Sequence, residues 1–119
     1  MIERIAWVLL ALLHVTPALA LANPALITRL YGVGREDGAF LLLQHRAALF
    51  LAVVIVCLWA LFDPTTRRLA CAAVAISMLS FLLLYWLGGQ PAALRSIAIM
   101  DLVGVPVLAY AAWRAFSAA

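Results

Sequence analysis

Charge is what this sequence has least of. Only 11% of its 119 residues are charged, less than half the roughly 25% usual in soluble domains, which leaves too little polar material to coat a water-facing surface. Lysine is missing altogether, and all eight basic residues are arginine. They are dispersed, mostly at the ends of apolar runs, and nothing resembles a basic stripe interleaved with aromatics. The net charge of +3 therefore does not point to nucleic acid. At such positions arginine snorkels to lipid headgroups and sets orientation. Cysteine is scarce too: Cys57 and Cys71 lack CxxC spacing and lie in apolar runs flanking one short loop. They read as small apolar packing residues, with a disulfide or redox pair across that hairpin as the alternative. No motif for a cofactor, nucleotide or metal is present.

What is abundant is hydrocarbon. Hydrophobic residues make up 69% of the chain, mean hydropathy is +1.16, and the apolar residues come in long runs instead of alternating at a strand or surface-helix period. The fold class expected is all-α, a four-helix transmembrane bundle forming one domain over residues 1–119, with spans at about 5–22, 39–62, 69–87 and 95–112. The first run ends in Ala-Leu-Ala-Asn, which also fits a cleavable signal peptide. It reads as a retained helix, because three further spans already commit the chain to the membrane. The polar segment 23–38 can form a short interfacial helix through Ile27, Leu30 and Tyr31. Asp63-Pro64-Thr65-Thr66-Arg67-Arg68 reads as a tight turn at a headgroup boundary. Gly88-Gly89-Gln90-Pro91 closes the third span after the interfacial pair Tyr85 and Trp86.

An even number of crossings puts both termini on one face with the 63–68 turn. That face holds Arg4, Arg67, Arg68 and Arg114, against Arg29, Arg35 and Arg95 opposite. The bias assigns both termini to the cytoplasm of a multi-pass inner-membrane protein.

Ionisable groups inside spans are costly and are the default functional candidates. At about 1.5 Å per residue, His14 falls near mid-membrane, while Gln44, His45, Arg46 and Asp101 lie about two turns below the face opposite the termini. Tyr85 and Arg95 belong to that same half. At about 100° per residue, Gln44 and Arg46 are some 200° apart, so the three consecutive polar residues cannot all face the interior. Arg46 is expected to pair with Asp101 at comparable depth, the alternative being headgroup contact for Arg46 and an Arg95–Asp101 pair. Pro17 and Pro106 free the carbonyls of Leu13 and Leu102 beside the polar residues. Axial haem ligation by His14 and His45 is disfavoured, because counting separates them by about 10 Å along the normal. No metal site is expected.

Three stretches carry a resemblance: Leu30-Tyr31-Gly32, Gln44-His45-Arg46-Ala47-Ala48-Leu49-Phe50 and Ser96-Ile97-Ala98-Ile99-Met100-Asp101-Leu102. With these the chain resembles a family of small bacterial four-helix membrane proteins, loosely similar to DoxX-like proteins. Members are often labelled phosphopantetheine adenylyltransferase, yet that soluble α/β enzyme needs an HxGH motif that this sequence does not contain. The resemblance implies a shared polar set of His14, His45, Arg46, Arg95 and Asp101 and supplies no substrate.

The function expected is binding of a small or lipophilic ligand at the polar cluster, or a role in a membrane assembly, without enzymatic turnover. A membrane-embedded isomerase or redox enzyme, with His45 or Asp101 transferring a proton, is the alternative. So is a small transporter, although the multidrug type carries an intramembrane Glu where this chain has His14. The bilayer is the expected partner, with a homodimer or hetero-complex to help bury the polar groups.

Overall fold

A computed structural model describes residues 2–117, the side chains of Leu30 and Ala93 excepted. Five α-helices form: α1 (Ile2–Leu19), α2 (Ala25–Tyr31), α3 (Ala39–Phe62), α4 (Arg67–Leu87) and α5 (Arg95–Ser117). All but α2 are long and apolar enough to cross a membrane. Their outward surfaces agree, with Leu41 71%, Leu69 76% and Ile76 71% exposed. An apolar coat of that extent is unsupportable in water and ordinary in lipid.

Four helix ends depart from the hydropathy runs. α1 starts and stops three residues before the 5–22 run; beyond Leu19 the chain passes into a turn in which Ala20 N–H donates to Pro17 O and Asn23 N–H to Leu19 O. α4 begins at Arg67 and α5 continues to Ser117, since arginine and aromatic side chains at a helix end can reach polar surroundings without breaking the backbone ladder.

The long helices form a ring in the order α1, α3, α4, α5, with α1 packed most extensively on α3 and on α5, and α4 on α5. Lipid tails are as apolar as leucine, so close packing rather than water exclusion must hold the ring together. Small residues permit it: Ala6, Ala11, Cys57, Ala60, Ala70, Cys71 and Ala111 surround Trp7, Leu10, Val74 and Met78 in the main core. Cys57 and Cys71 are both free, buried thiols in that core. Gly104 marks the tightest approach, because a Cβ there would lie 2.5 Å from Leu13 Cδ2 and 2.7 Å from Met78 Cε. Gly104→Val is expected to cost about 1–3 kcal/mol by overpacking, read as earlier unfolding in detergent titrations, with Gly104→Ala milder because both contacts are side-chain tips.

A second apolar cluster lies at the far end. There α2 packs Ile27 and Tyr31 against Phe40 and Ala47 of α3. Gly32 ends α2 at φ 70°, a left-handed conformation that glycine adopts without strain, and its N–H bonds Thr28 O. The apolar interior is thus split in two, and the polar residues occupy the layer between.

The α3–α4 turn is built on Asp63. Its carboxylate accepts from Thr65 N at 3.0 Å and Thr65 Oγ1 at 2.6 Å, ahead of Pro64 at the first position of a short 3₁₀ turn. These bonds from Thr65 hold the Asp63 carboxyl below its ordinary value. A depressed folded-state pKa stabilises the fold above the unfolded value, and the contribution disappears as pH falls through the folded one. Acidification below the usual carboxylate range is therefore expected to loosen this turn. Hydrogen exchange at Thr65 and Thr66 should accelerate on going from neutral pH to strong acid, after correction for intrinsic rates, and Asp63→Asn should flatten that dependence.

Candidate functional site

The polar layer is built from α1, α2, α3 and α4, with Asp101 of α5 lining a cavity against α1. His14 is 1% exposed, the single buried polar or charged residue among those described. Its Nδ1 lies 2.8 Å from Leu10 O. A carbonyl only accepts, so Nδ1 carries the proton and Nε2 is left as an acceptor, facing the Ser77 hydroxyl at 3.4 Å. The ring also lies 5.8 Å from that of Phe50. His14 thereby links α1 to α3 and α4 as a satisfied core group.

Arg46 is half-buried and makes no hydrogen bond or ion pair among the described residues. Aromatic rings surround it instead. Its Cζ lies 4.9 Å from the Phe50 ring, 5.1 Å from Phe81 and 5.6 Å from Tyr31, drawing on α3, α4 and α2. Placing Arg at the centre of a span costs roughly 2.5–3.5 kcal/mol on insertion scales, an upper bound for Arg46 about two turns in. Each cation–π contact returns about 0.5–2 kcal/mol depending on desolvation. Three such contacts are of the order needed to hold the cation without a counter-ion. Burial raises the Tyr31 phenol above its ordinary value, opposed by the Arg46 charge, so the hydroxyl stays protonated beside the guanidinium.

The expected Arg46–Asp101 ion pair does not form, since no contact within ion-pairing distance joins them. The ring order is the reason: α3 and α5 stand on opposite corners, so equal depth leaves the two side chains beyond ion-pairing distance, although each still lies within range of the other's charge. Asp101 lines a cavity of about 150 Å³ between α1 and α5 with Thr16, Pro17 and Ser96. Arg95 is exposed and makes no ion pair with Asp101 either. Gln44 is half-buried and His45 exposed, so of the three consecutive polar residues it is His45 that looks outward. Its imidazole and the enclosed one of His14 point to different environments. Tyr85 is half-buried and stacks on Phe81 at 6.2 Å, behind the cage around Arg46. Among the described residues no three His, Cys, Asp or Glu side chains cluster as metal ligands would.

A groove of about 500 Å³ runs from the Arg46 cage between α3 and α4. Helical spacing makes it: Arg46, Leu49, Phe50 and Val53 form one stripe on α3, facing Ala73, Ser77, Ser80 and Leu84 on α4. Leu49, Ile76, Ser80 and Leu84 are exposed, so the groove opens sideways onto the apolar coat. The Ser80 hydroxyl donates to Ile76 O, which spends its polarity on its own helix. The groove is therefore an apolar slot with a permanent cation at one end, of the size typical of small-molecule sites.

Sequence reading overlooked a second polar cluster, at the face of the termini. Glu3 accepts from Arg67 Nη1 at 2.9 Å and from Arg114 Nη2 at 2.8 Å, tying α1 to α4 and α5. Arg67 also donates from Nε to Ala60 O and from Nη2 to Leu61 O, closing the C-terminal end of α3. The signal available was the shared face of Glu3, Arg67 and Arg114.

No protein-family model, curated protein or solved structure matches the chain.

Proposed function

We propose that this chain is a multi-pass protein of the bacterial inner membrane, both termini cytoplasmic, that binds a lipophilic anion in the groove between α3 and α4. The observation that carries the reading is Arg46: a caged cation that makes no hydrogen bond or ion pair among the described residues, at the end of an apolar slot that opens sideways to lipid. A long-chain carboxylate would lay its tail along Leu49, Val53, Ala73 and Ile76 and set its head against the guanidinium, which pairs planar carboxylates at two points. The neutral His14–Ser77 link would close the inner wall. The arginine bias toward the terminal face supports the orientation.

A carboxylate is favoured over a neutral lipid because only the anion gains the ion pair in a medium that screens it poorly. Stabilisation of the purified protein by a C16 fatty acid and by the C16 alcohol, at equal detergent mole fraction and at pH 8, tests this. The acid should raise the unfolding temperature clearly more than the alcohol. Equal shifts would reduce the groove to a lipid-filled crevice.

A further inference from the structure

At the terminal face, Glu3, Pro64, Thr65, Arg67, Arg68, Arg114 and Ala115 line a polar cleft of about 400 Å³. Three guanidinium groups meet one carboxylate there. Arg67 is consumed by its bonds to Ala60, Leu61 and Glu3 and has a side chain only 11% exposed. Arg114 spends Nε and Nη2 on Glu3 Oε1, leaving Nη1. Arg68 is anchored through Nε to Ala115 O at 3.2 Å and lies 5.6 Å from the Phe116 ring. Both of its terminal amino groups make no bond among the described residues. Two held guanidinium groups thus offer unused donors to one cleft that keeps a surplus positive charge.

We propose that this cleft is a phosphate-binding site, taking the headgroup phosphate of an anionic phospholipid from the leaflet that faces it. A phosphate matches the set because its several oxygens can take donors from Arg68 and Arg114 together, and because its charge offsets the surplus. The position at the headgroup level, between helices and on the arginine-rich face, suits a lipid source. Free phosphate carries the same chemistry from solution. The site is separate from the groove, which starts in the other half of the bundle.

Native mass spectrometry of the full chain in mild detergent, titrated with phosphatidylglycerol or phosphatidylcholine, tests the proposal. The wild type should retain phosphatidylglycerol at least fivefold more tightly. Arg68→Gln should remove most of that preference, and Arg68→Lys, which keeps the charge, should restore much of it. Arg4→Gln, on the same face but outside the cleft, should change it less than twofold. Inorganic phosphate competing away the phosphatidylglycerol at millimolar concentration would confirm the chemistry and show that the solute also enters. Equal retention of the two lipids by the wild type, or equal losses from Arg4→Gln and Arg68→Gln, would overturn the proposal in favour of a diffusely charged surface. Retention unchanged in Arg68→Gln would overturn it outright.

Discussion

Replacing Arg46 with Gln is expected to weaken binding of a long-chain fatty acid by at least tenfold, leaving binding of the corresponding alcohol within about twofold. The asymmetry follows from what the substitution removes. Glutamine retains most of the aliphatic stem that borders the slot, so contacts with a tail at Leu49, Val53 and Ile76 persist. It loses the permanent charge, and a charge-assisted bond contributes about 1.5–3 kcal/mol, equivalent to roughly one to two decades of affinity. Arg46→Lys is the informative companion. It keeps a charge but loses the planar fork and its stacking on Phe50 and Phe81, so an intermediate loss is expected. Folded yield should survive Arg46→Gln, because the loss of three cation–π contacts is offset by no longer placing a charge inside the span. Equilibrium binding of a radiolabelled acid and alcohol in detergent micelles measures both arms.

The largest loss of stability is expected at the other polar cluster, from Arg67→Ala. Its guanidinium is mostly buried and bonds three acceptors on two helices, at 2.9 Å to Glu3, 2.8 Å to Ala60 O and 3.3 Å to Leu61 O. Truncation leaves the last carbonyls of α3 without these donors and frees one oxygen of Glu3. Losses of that type reach about 3–5 kcal/mol for a buried pair, and about 3 kcal/mol is expected here because Glu3 keeps Arg114. Arg114→Ala should cost much less, since that side chain is about half exposed. A double-mutant cycle of Glu3→Gln and Arg67→Ala, followed by reversible unfolding in mixed micelles, should return a coupling above about 1 kcal/mol. Additivity would mean that Arg67 acts through the α3 carbonyls alone.

Composition and hydropathy were enough for the helical class and for four helices long and apolar enough to cross a membrane, because lipid admits few other ways to satisfy the backbone. Counting at about 1.5 Å per residue gives His14, Arg46 and Asp101 each a position along its own helix. Azimuth around the bundle was not legible. Depth is a local property of one helix, whereas the partner of a side chain depends on the ring order, which is a matter of packing between helices. That is why Arg46 was paired with Asp101 and instead meets Phe50, Phe81 and Tyr31. Only Phe50, four residues on along α3, had a local signal. The angular argument required one of Gln44, His45 and Arg46 to face outward without being able to say that it is His45. Glu3 and its arginines are separated by 64 and 111 residues, a distance that no periodicity bridges. The trace left in the sequence was their common face, and reading those arginines only as headgroup anchors concealed their internal bonds.

The central claim is that the slot between α3 and α4 holds an anionic amphiphile with its head at Arg46. Photocrosslinking with a fatty acid carrying a diazirine midway along its chain, followed by peptide mass spectrometry, tests this most directly. Adducts should concentrate on Val53, Ala73, Ile76 and their near neighbours, and should fall sharply in Arg46→Gln. Adducts spread evenly over the outward faces of all four long helices, with the same yield in Arg46→Gln, would contradict it.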